Sequence, residues 1–441
     1  VAYSELARVQ VANGDQSGAR DTAERAVAAI TSTDSADERL FGIPAAAIAQ
    51  MRAGDLDGAA KTVELAENGD KRVLAHTALA VALERAGHAA LAREAAARAM
   101  ELAVAGIDEP DRGEMIVYAA WAQAVVGDPA GARRYAERLG RPEDRDGLLA
   151  LIAEIQLEAG DIAGARATVD TIGDSGERSD NEAWFFGRMI RGIAVDPIAV
   201  FDAFLFEAET PLRAILMRRI ALARAHAGEV DGARRSFEAA MQFAAQAATG
   251  DPVRGLSDIA VARASVGDLA GALESLDQAE QLAADRASNE GDGTIEEANY
   301  VVAMRSAISD RDSAMQLIGK LGGAEQAGVE LLVAVALAKA RLHQDELAAQ
   351  YLDAAAASLP EDDDLSLVAA AYASLAETRL REGNRAAGRA AASRAHAIAD
   401  SITAESKDRA IGMFFAAIAL ARTGDVERAR DVADRIEKPA R

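Results

Sequence analysis

One short pattern of residues recurs along the chain and constrains the fold more than any other feature. A glycine is followed at once by an acidic residue, and a Gly-Ala pair begins four residues after the first glycine. Six copies occupy residues 14–19, 54–59, 127–132, 160–165, 228–233 and 267–272. A pattern that returns every few tens of residues is the signature of a repeat array, in which each unit packs only on its neighbours.

The first residue of the pattern reads as a turn between two helices, and looser copies extend the series to twelve units. The twelve turn positions are Gly14, Gly54, Gly87, Gly127, Gly160, Val195, Gly228, Gly267, Ser309, His343, Gly383 and Gly424. Their spacings fall into two groups, 33–35 residues and 39–42 residues. The difference of roughly seven residues is two helical turns, so we expect the long units to extend their helices and keep the same packing phase.

Two alanine positions accompany the turn. Alanine stands seven residues before it at Ala7, Ala47, Ala80, Ala120, Ala153, Ala221, Ala260, Ala336, Ala376 and Ala417. Alanine also stands five residues after it at Ala19, Ala59, Ala92, Ala132, Ala165, Ala233, Ala272, Ala314, Ala348 and Ala429. Small side chains at fixed positions predict a close crossing of two antiparallel helices. The turn glycine should adopt a left-handed conformation, and the following acid should cap the second helix.

An arginine precedes the turn by fifteen residues in six units, near the expected start of the first helix. These residues are Arg39, Arg72, Arg112, Arg145, Arg213 and Arg409. A cation there opposes the helix dipole. We therefore expect each guanidinium to pair with an acidic turn residue or a helix-end carbonyl of the adjoining unit.

The spacing of these positions resembles the tetratricopeptide repeat across essentially the whole chain. Trp184 stands eleven residues before Val195, where that family commonly has tryptophan, and Tyr3 has the same offset from Gly14. The chain departs from the family in lacking most repeat-end prolines, in its longer units, and in having alanine at many aromatic positions. The resemblance implies an all-α, right-handed α-solenoid (superhelix) of about twelve antiparallel helix pairs. It would form a single continuous array over residues 1–441, with an irregular aromatic-rich unit at about 180–210.

Composition narrows the classes of partner. The net charge of −23 argues against nucleic acid and anionic membrane surfaces as partners. Cysteine is absent, and no apolar run reaches the roughly 20 residues of a membrane span. The excess of alanine and arginine is typical of a GC-rich bacterial genome. The lack of cysteine and the start at Val1 favour the periplasm over the cytoplasm, in a processed chain or a fragment.

The sequence contains no motif that indicates catalysis. The five histidines are scattered, and no two are spaced four residues apart as in a helical zinc motif. A phosphate-binding loop and a GxSxG elbow are also missing. We therefore predict that the protein is not an enzyme and that it holds no metal and no cofactor.

The resemblance implies a concave face lined by the first helix of each unit, with inward residues about ten, six, three and two before the turn. Applied to units four to seven, these offsets select a mostly apolar set with a few polar groups. The set is Val117, Trp121, Val125, Glu154, Leu157, Phe185, Met189, Ile193, Arg218 and Leu222. Such a composition is typical of a groove for a peptide or a helix. The alternative is that Trp121 and Phe185 fill the core between repeats.

These observations favour a non-enzymatic scaffold or adaptor that binds a peptide or helix of a partner protein on its concave face. A first alternative is a structural subunit or spacer of a larger assembly, and a second is an auxiliary repeat domain of a larger regulator. In each case the expected partner is a protein or peptide, with no nucleic acid and no membrane insertion. The Lys/Asn carboxylate clamp of chaperone-binding family members is almost absent at these offsets, so that activity is not expected.

Overall fold

A computed structural model describes most of the chain as helices joined by short turns. The described residues are 2–33, 36–67, 69–105, 112–173, 210–246, 251–290, 294–309, 326–359, 365–403 and 406–437. The predicted irregular unit at about 180–210 therefore lies almost entirely outside the described residues. The described part of the chain is all-α and contains no strand.

Ten helices form the described part of the first 173 residues. They are α1 (Ala2–Ala12), α2 (Gln16–Ser32), α3 (Ala36–Arg52), α4 (Leu56–Val63), α5 (Gly69–Arg85), α6 (Ala89–Ala105), α7 (Arg112–Val125), α8 (Pro129–Ala136), α9 (Pro142–Glu158) and α10 (Ile162–Val169).

Eleven more follow. They are α11 (Leu212–His226), α12 (Val230–Ala245), α13 (Pro252–Ser265), α14 (Leu269–Glu290), α15 (Thr294–Ser309), α16 (Gln326–Arg341), α17 (Asp345–Ser358), α18 (Leu365–Arg381), α19 (Arg385–Ser401), α20 (Lys407–Thr423) and α21 (Val426–Glu437). In the described residues they make ten helix pairs and one further helix, α15.

The chain divides into two compact halves, the first half Val1–Val200 and the second half Phe201–Arg441. Within each half, the two helices of a pair pack together, and the first helix also packs on the first helix of the next pair. The second helix of each pair contacts the first helix of the following one. Each half is thus a stack of helix pairs, as predicted for a helical repeat. That the two halves form one continuous array stays a prediction.

The predicted turns are confirmed where they are described. Nine turn glycines have φ between 77° and 103°, the left-handed region, and His343 adopts φ 57° at the same position of its unit. Glycine is preferred there because it lacks the Cβ that strains this conformation. Val195 lies outside the described residues, and Ser309 is instead the last residue of α15.

The acid after the turn caps the second helix, as its position predicts. The carboxylates of Asp15, Asp55, Asp128 and Asp161 each accept a hydrogen bond at 2.8 Å from the backbone N–H three residues later. That N–H belongs to the second glycine of the pattern. A Cβ on this glycine would lie about 2 Å from the capping carboxylate in all four turns, so a side chain there would displace the carboxylate from its present position. Asn384 makes the same cap to Ala387, which carries a Cβ, at a longer distance of 3.2 Å.

The two spacing classes differ in the length of the second helix, which confirms that long units extend their helices. The second helix is 8 residues long in α4, α8 and α10. It is 17 residues long in α2, α6 and α19. The left-handed turn glycine is common to both classes.

Burial of the paired alanines confirms the predicted helix crossing. The alanine seven residues before the turn is at most 3% exposed in all ten units that carry it. The alanine five residues after the turn is at most 5% exposed in the nine units where it is described, and Ala314 lies outside the described residues. Both positions lie in the core between helices, where no larger side chain fits without displacing its neighbours.

A polar pair that sequence reasoning missed links the two helices of several units. Gln156, four residues before the turn, accepts a 2.7 Å hydrogen bond from Thr168, eight residues after it. The same pair joins Gln10 to Thr22 and Gln50 to Thr62. In two units of the second half, arginine and serine replace glutamine and threonine at these positions, as in the 3.2 Å contact from Arg263 to Ser275. The sequence signal was the joint recurrence of the two residue types at a separation of twelve.

The arginines near the start of the first helix have the partners predicted for them in half of the cases. Arg72, Arg112 and Arg409 donate to carbonyl oxygens at or just beyond the end of the preceding helix, those of Ala66, Val104 and Ile402. Arg39 pairs with Glu67 and lies 3.5 Å from the Leu65 carbonyl, both just beyond the second helix of its own pair, and Arg145 pairs with the adjacent Asp146. The Arg213 guanidinium lies 3.9 Å from the Phe243 ring centroid.

Candidate functional site

The first half of the chain brings several of the predicted binding residues together at the ends of three successive first helices. Trp121 and Val125 lie on α7, and Glu154 lies on α9. All three line one cavity of about 370 Å³. Its remaining walls come from α5, from other residues of α9 and from the residue that follows α9. The lining residues in the described part of the chain are Val81, Glu84, Arg85, Trp121, Val125, Leu151, Glu154, Ile155, Glu158 and Ala159.

The repeat explains why these residues meet. Val81, Trp121 and Glu154 each stand six residues before the turn of their unit, and Arg85, Val125 and Glu158 each stand two residues before it. Because successive first helices pack side by side, equivalent positions form rows across the helices. The offsets used on units four to seven therefore apply equally to unit three, whose residues Val81, Glu84 and Arg85 sequence reasoning left out.

Trp121 forms part of the buried wall of this cavity. The side chain is 2% exposed, as the alternative of a core residue between repeats requires, and it also faces the cavity. Val125 is half-buried at the same end of α7, whereas Ala159 is exposed at the end of α9. The cavity thus has an aromatic and aliphatic interior and an accessible rim.

Charged groups surround the apolar interior. Arg85 of α5 forms an ion pair with Glu158 of α9, spanning the width of the intervening α7. Glu154 is only 3% exposed. The Oε2 atom of Glu84 is buried without a hydrogen-bond partner among the described residues. Among the lining residues that the structure describes, three carboxylates and one guanidinium carry a formal charge of −2.

The other predicted residues of the first half lie outside this cavity or outside the described residues. Val117 is fully buried in α7, and Leu157 is half-buried on α9 without lining the cavity. Phe185, Met189 and Ile193 fall in the part of the chain that is not described.

In the second half of the chain, the predicted residue Arg218 is buried in α11 close to a polar cluster. Leu222 is half-buried one turn later in the same helix. Asp258 of α13 is 1% exposed and accepts a 2.9 Å hydrogen bond from the Tyr300 hydroxyl. The Arg254 guanidinium lies 5.0 Å from the Tyr300 ring centroid.

Burial controls the titration of this cluster. Desolvation raises the pKa of Asp258 to about 6, although the nearby Arg218, Arg254 and Arg341 act in the opposite direction. Burial likewise raises the pKa of the Tyr300 phenol, which the neighbouring Asp258 carboxylate raises further. The cluster brings together charged and polar side chains of helices α11, α13, α15 and α16.

A second cavity of about 740 Å³ lies in the second half of the chain, at the turns that contain His343 and Asn384. It is lined by Ile308, Lys339, His343, Gln344, Asp345, Glu346, Leu347, Arg379, Asn384 and Ala387. Lys339 is 1% exposed and donates to the Gln344 side chain at 2.9 Å. Gln50 and Arg263 make the equivalent contact, from four residues before the turn to one after it, with Asp55 and Asp268. The lining mixes cations and anions, with Arg379 paired to Asp345, and these contacts bind one turn to the next.

Metal-binding clusters and membrane-spanning helices are the two remaining features of the described residues that bear on function. No group of three or more His, Asp or Glu side chains there is arranged to hold a metal ion. None of the helices in that part of the chain is both long enough and apolar enough to cross a bilayer.

Comparison with known proteins adds little to this description. No family model matches the chain, and no curated protein matches it. A solved structure described as a "circular tandem repeat protein with novel repeat topology and enhanced subunit contact surfaces" matches at 15% identity, covering 99% of this chain and 93% of that one. Its TM-score is 0.19, too low to support an inference, so the assignment of a helical repeat rests on the helix pairs themselves.

Proposed function

We propose that the protein is a non-enzymatic interaction scaffold that binds a segment of a partner protein at the cavity beside Trp121. The observation that carries this proposal is the convergence of equivalent positions from α5, α7 and α9 on one cavity with an aromatic wall. Its volume of about 370 Å³ is near the lower limit of ligand pockets. It therefore suits one anchoring side chain of a peptide or helix.

The repeat type is part of the same proposal. We propose that the units are tetratricopeptide-like, with the partner on the face formed by first helices. The left-handed turn glycines and the buried alanines on either side of them support this assignment. Helix-in-groove recognition then relies on a few anchors rather than on a large continuous surface.

Site-specific photo-cross-linking tests the proposed surface. A benzophenone amino acid at Val125, on the cavity wall, should yield a discrete cross-linked partner in cells that produce the protein. The same amino acid at Leu91, which is exposed on the second helix α6, should not. Equal products from both positions, or none from Val125, would contradict the proposal.

A blocking substitution supplies the matched control. Ala159→Trp places a bulky group at the exposed end of α9, on the cavity rim, and should abolish the Val125 cross-link. Ala227 is exposed and occupies the same position, one residue before the turn, at the end of α11. Ala227→Trp should therefore leave the cross-link intact, and loss of the product in both variants would indicate a general effect on the fold.

A further inference from the structure

We propose that the ion pair between Arg85 and Glu158 is a clasp that crosses the cavity beside Trp121 and opens when a partner side chain enters. The inference rests on the proposed function and concerns the regulation of that same site. Helix α7 lies between α5 and α9 and packs on both. It therefore forms the floor of the cavity, while α5 and α9 supply two facing walls.

The ion pair joins these two walls. Arg85 and Glu158 each stand two residues before the turn of their unit, and Val125 holds the same position on the helix between them. Because the valine side chain is short, the longer arginine and glutamate side chains can meet across it. All three residues line the cavity. A side chain that enters between α5 and α9 at this end therefore has to displace the contact.

Exposure separates the clasp from the floor of the cavity. The side chains of Arg85 and Glu158 are 49% and 30% exposed, whereas Trp121 is 2% exposed and Val125 is half-buried. Dissolved ions therefore reach the pair more readily than they reach the floor. Since salt screens the attraction between exposed charges, the clasp should open more often as the ionic strength rises.

The strength of the pair limits the size of this effect. Exposed ion pairs contribute little free energy, because water screens the charges and two long side chains lose conformational freedom. Their usual contributions correspond to a change of about twofold to fivefold in the ratio of open to closed states. A contact of this strength restricts entry, and a partner segment can open it at a small cost in affinity.

The absence of cysteine makes the clasp testable in the full chain. Val125→Cys places a unique thiol on the cavity floor, and its rate of alkylation by N-ethylmaleimide, an uncharged reagent, measures access. Arg85→Gln should raise this rate by about twofold to fivefold, whereas Arg85→Lys keeps the cation and should raise it less. Loss of a nearby cation also raises the pKa of a thiol and so slows its alkylation. A faster reaction therefore reports opening.

Three controls locate the effect at the pair. Arg93→Gln removes an exposed cation from α6 and should leave the alkylation rate at position 125 unchanged. Leu91→Cys, exposed on the same helix, should react at one rate with or without the Arg85 side chain. In a Glu158→Gln background, Arg85→Gln should have little further effect, because a double-mutant cycle isolates the interaction of the two residues. Raised salt should likewise accelerate alkylation in the chain that keeps Arg85 and not in Arg85→Gln.

The partner supplies the last readout. Arg85→Gln should increase the yield of the Val125 photo-cross-link by about twofold to fivefold, since the closed state no longer competes with entry. An unchanged yield despite faster alkylation would overturn the inference. So would equal alkylation rates with arginine, lysine and glutamine at position 85, an equal effect of Arg93→Gln, or additive effects of Arg85→Gln and Glu158→Gln.

Failure of the clasp and failure of the proposed function are distinguishable. The scaffold survives each of the results above if the Val125 cross-link persists, because that experiment makes no assumption about the ion pair. Faster alkylation in Arg85→Gln without any cross-linked partner would instead refute the scaffold and leave the pair as a brace between α5 and α9.

Discussion

The capping turn permits a quantitative test at Asp128 and Gly131, because the structure assigns opposing effects to one substitution. The Asp128 carboxylate accepts a 2.8 Å hydrogen bond from the Gly131 N–H. A Cβ at Gly131 would lie 2.0 Å from Asp128 Oδ2, so in Gly131→Ala the Asp128 carboxylate must shift, and we expect the cap to be lost. Alanine is about 1 kcal/mol better than glycine inside a helix, while loss of a cap costs about 1 kcal/mol.

These magnitudes predict the outcome of a double-mutant cycle. Asp128→Ala alone should destabilise the α7–α8 pair by about 1 kcal/mol. Gly131→Ala alone should change its stability little, because the gain in helix propensity offsets the lost cap. In the double variant the cap is already absent, so Gly131→Ala should now stabilise. The two substitutions should therefore show a coupling free energy of about 1 kcal/mol.

Amide hydrogen exchange of residues 129–136 is the appropriate assay, since repeat arrays open locally and a global melt averages over many units. Gly232 provides a control, because Glu229 makes no side-chain capping bond to α12 and a Cβ there would lie 3.4 Å from the Glu229 carboxylate. Glu229→Ala and Gly232→Ala should be additive. Additive effects at Asp128 and Gly131 as well would refute the explanation of the second glycine by the cap.

Three further predictions concern packing, buried charge and the cross-helix polar pair. Ala132→Leu should destabilise the protein by about 1–3 kcal/mol in urea denaturation, because Ala132 is fully buried; Ala130→Leu, at an exposed position of α8, should be nearly neutral. Burial raises the pKa of Asp258 from 3.8 to about 6, so its stabilising contribution is complete below about pH 4 and is lost as the pH rises through 6. Asp258→Asn should thus gain up to about 3 kcal/mol relative to wild type between about pH 4 and pH 7, measured by urea denaturation at each pH; an unchanged difference would contradict the assignment. Thr168→Val should cost about 1–3 kcal/mol in the same assay, since it leaves the Gln156 oxygen without its donor, and a neutral result would show that solvent replaces the hydroxyl.

The helical repeat was predictable because its determinants are local in sequence. A left-handed glycine, a capping acid and two small residues act within about a dozen positions of one another, so their spacing alone fixes a helix, a turn and a second antiparallel helix. The extra residues of long units were correctly assigned to the helices, although their concentration in the second helix appears only in the structure. Ser309 was inferred as a turn only from its spacing, and it lies in helix α15 instead.

The candidate site was predictable only in part, because it depends on contacts between units. Trp121, Val125 and Glu154 were selected by their offsets, and the structure places them in one cavity. The partners supplied by α5 were missed because the offsets were applied from unit four onwards, not because unit three lacks the signal. The burial of Val117 and Arg218 could not be predicted from the offset, since the neighbouring helices decide which inward positions remain accessible.

The cavity beside Trp121 also shows how a uniform repeat acquires a distinct site. The buried alanines and the left-handed turn recur in most of the described units, and they hold the two helices of a pair together. At positions six and two before the turn, however, the side chains change from unit to unit: valine, tryptophan and glutamate in one row, arginine, valine and glutamate in the other. Because the helix pairs keep the same turn and the same buried alanines, the volume and charge between first helices depend in large part on these variable rows. A substitution in them should therefore change which partner binds while leaving the helix pairs intact, whereas a substitution at the alanines should disturb both.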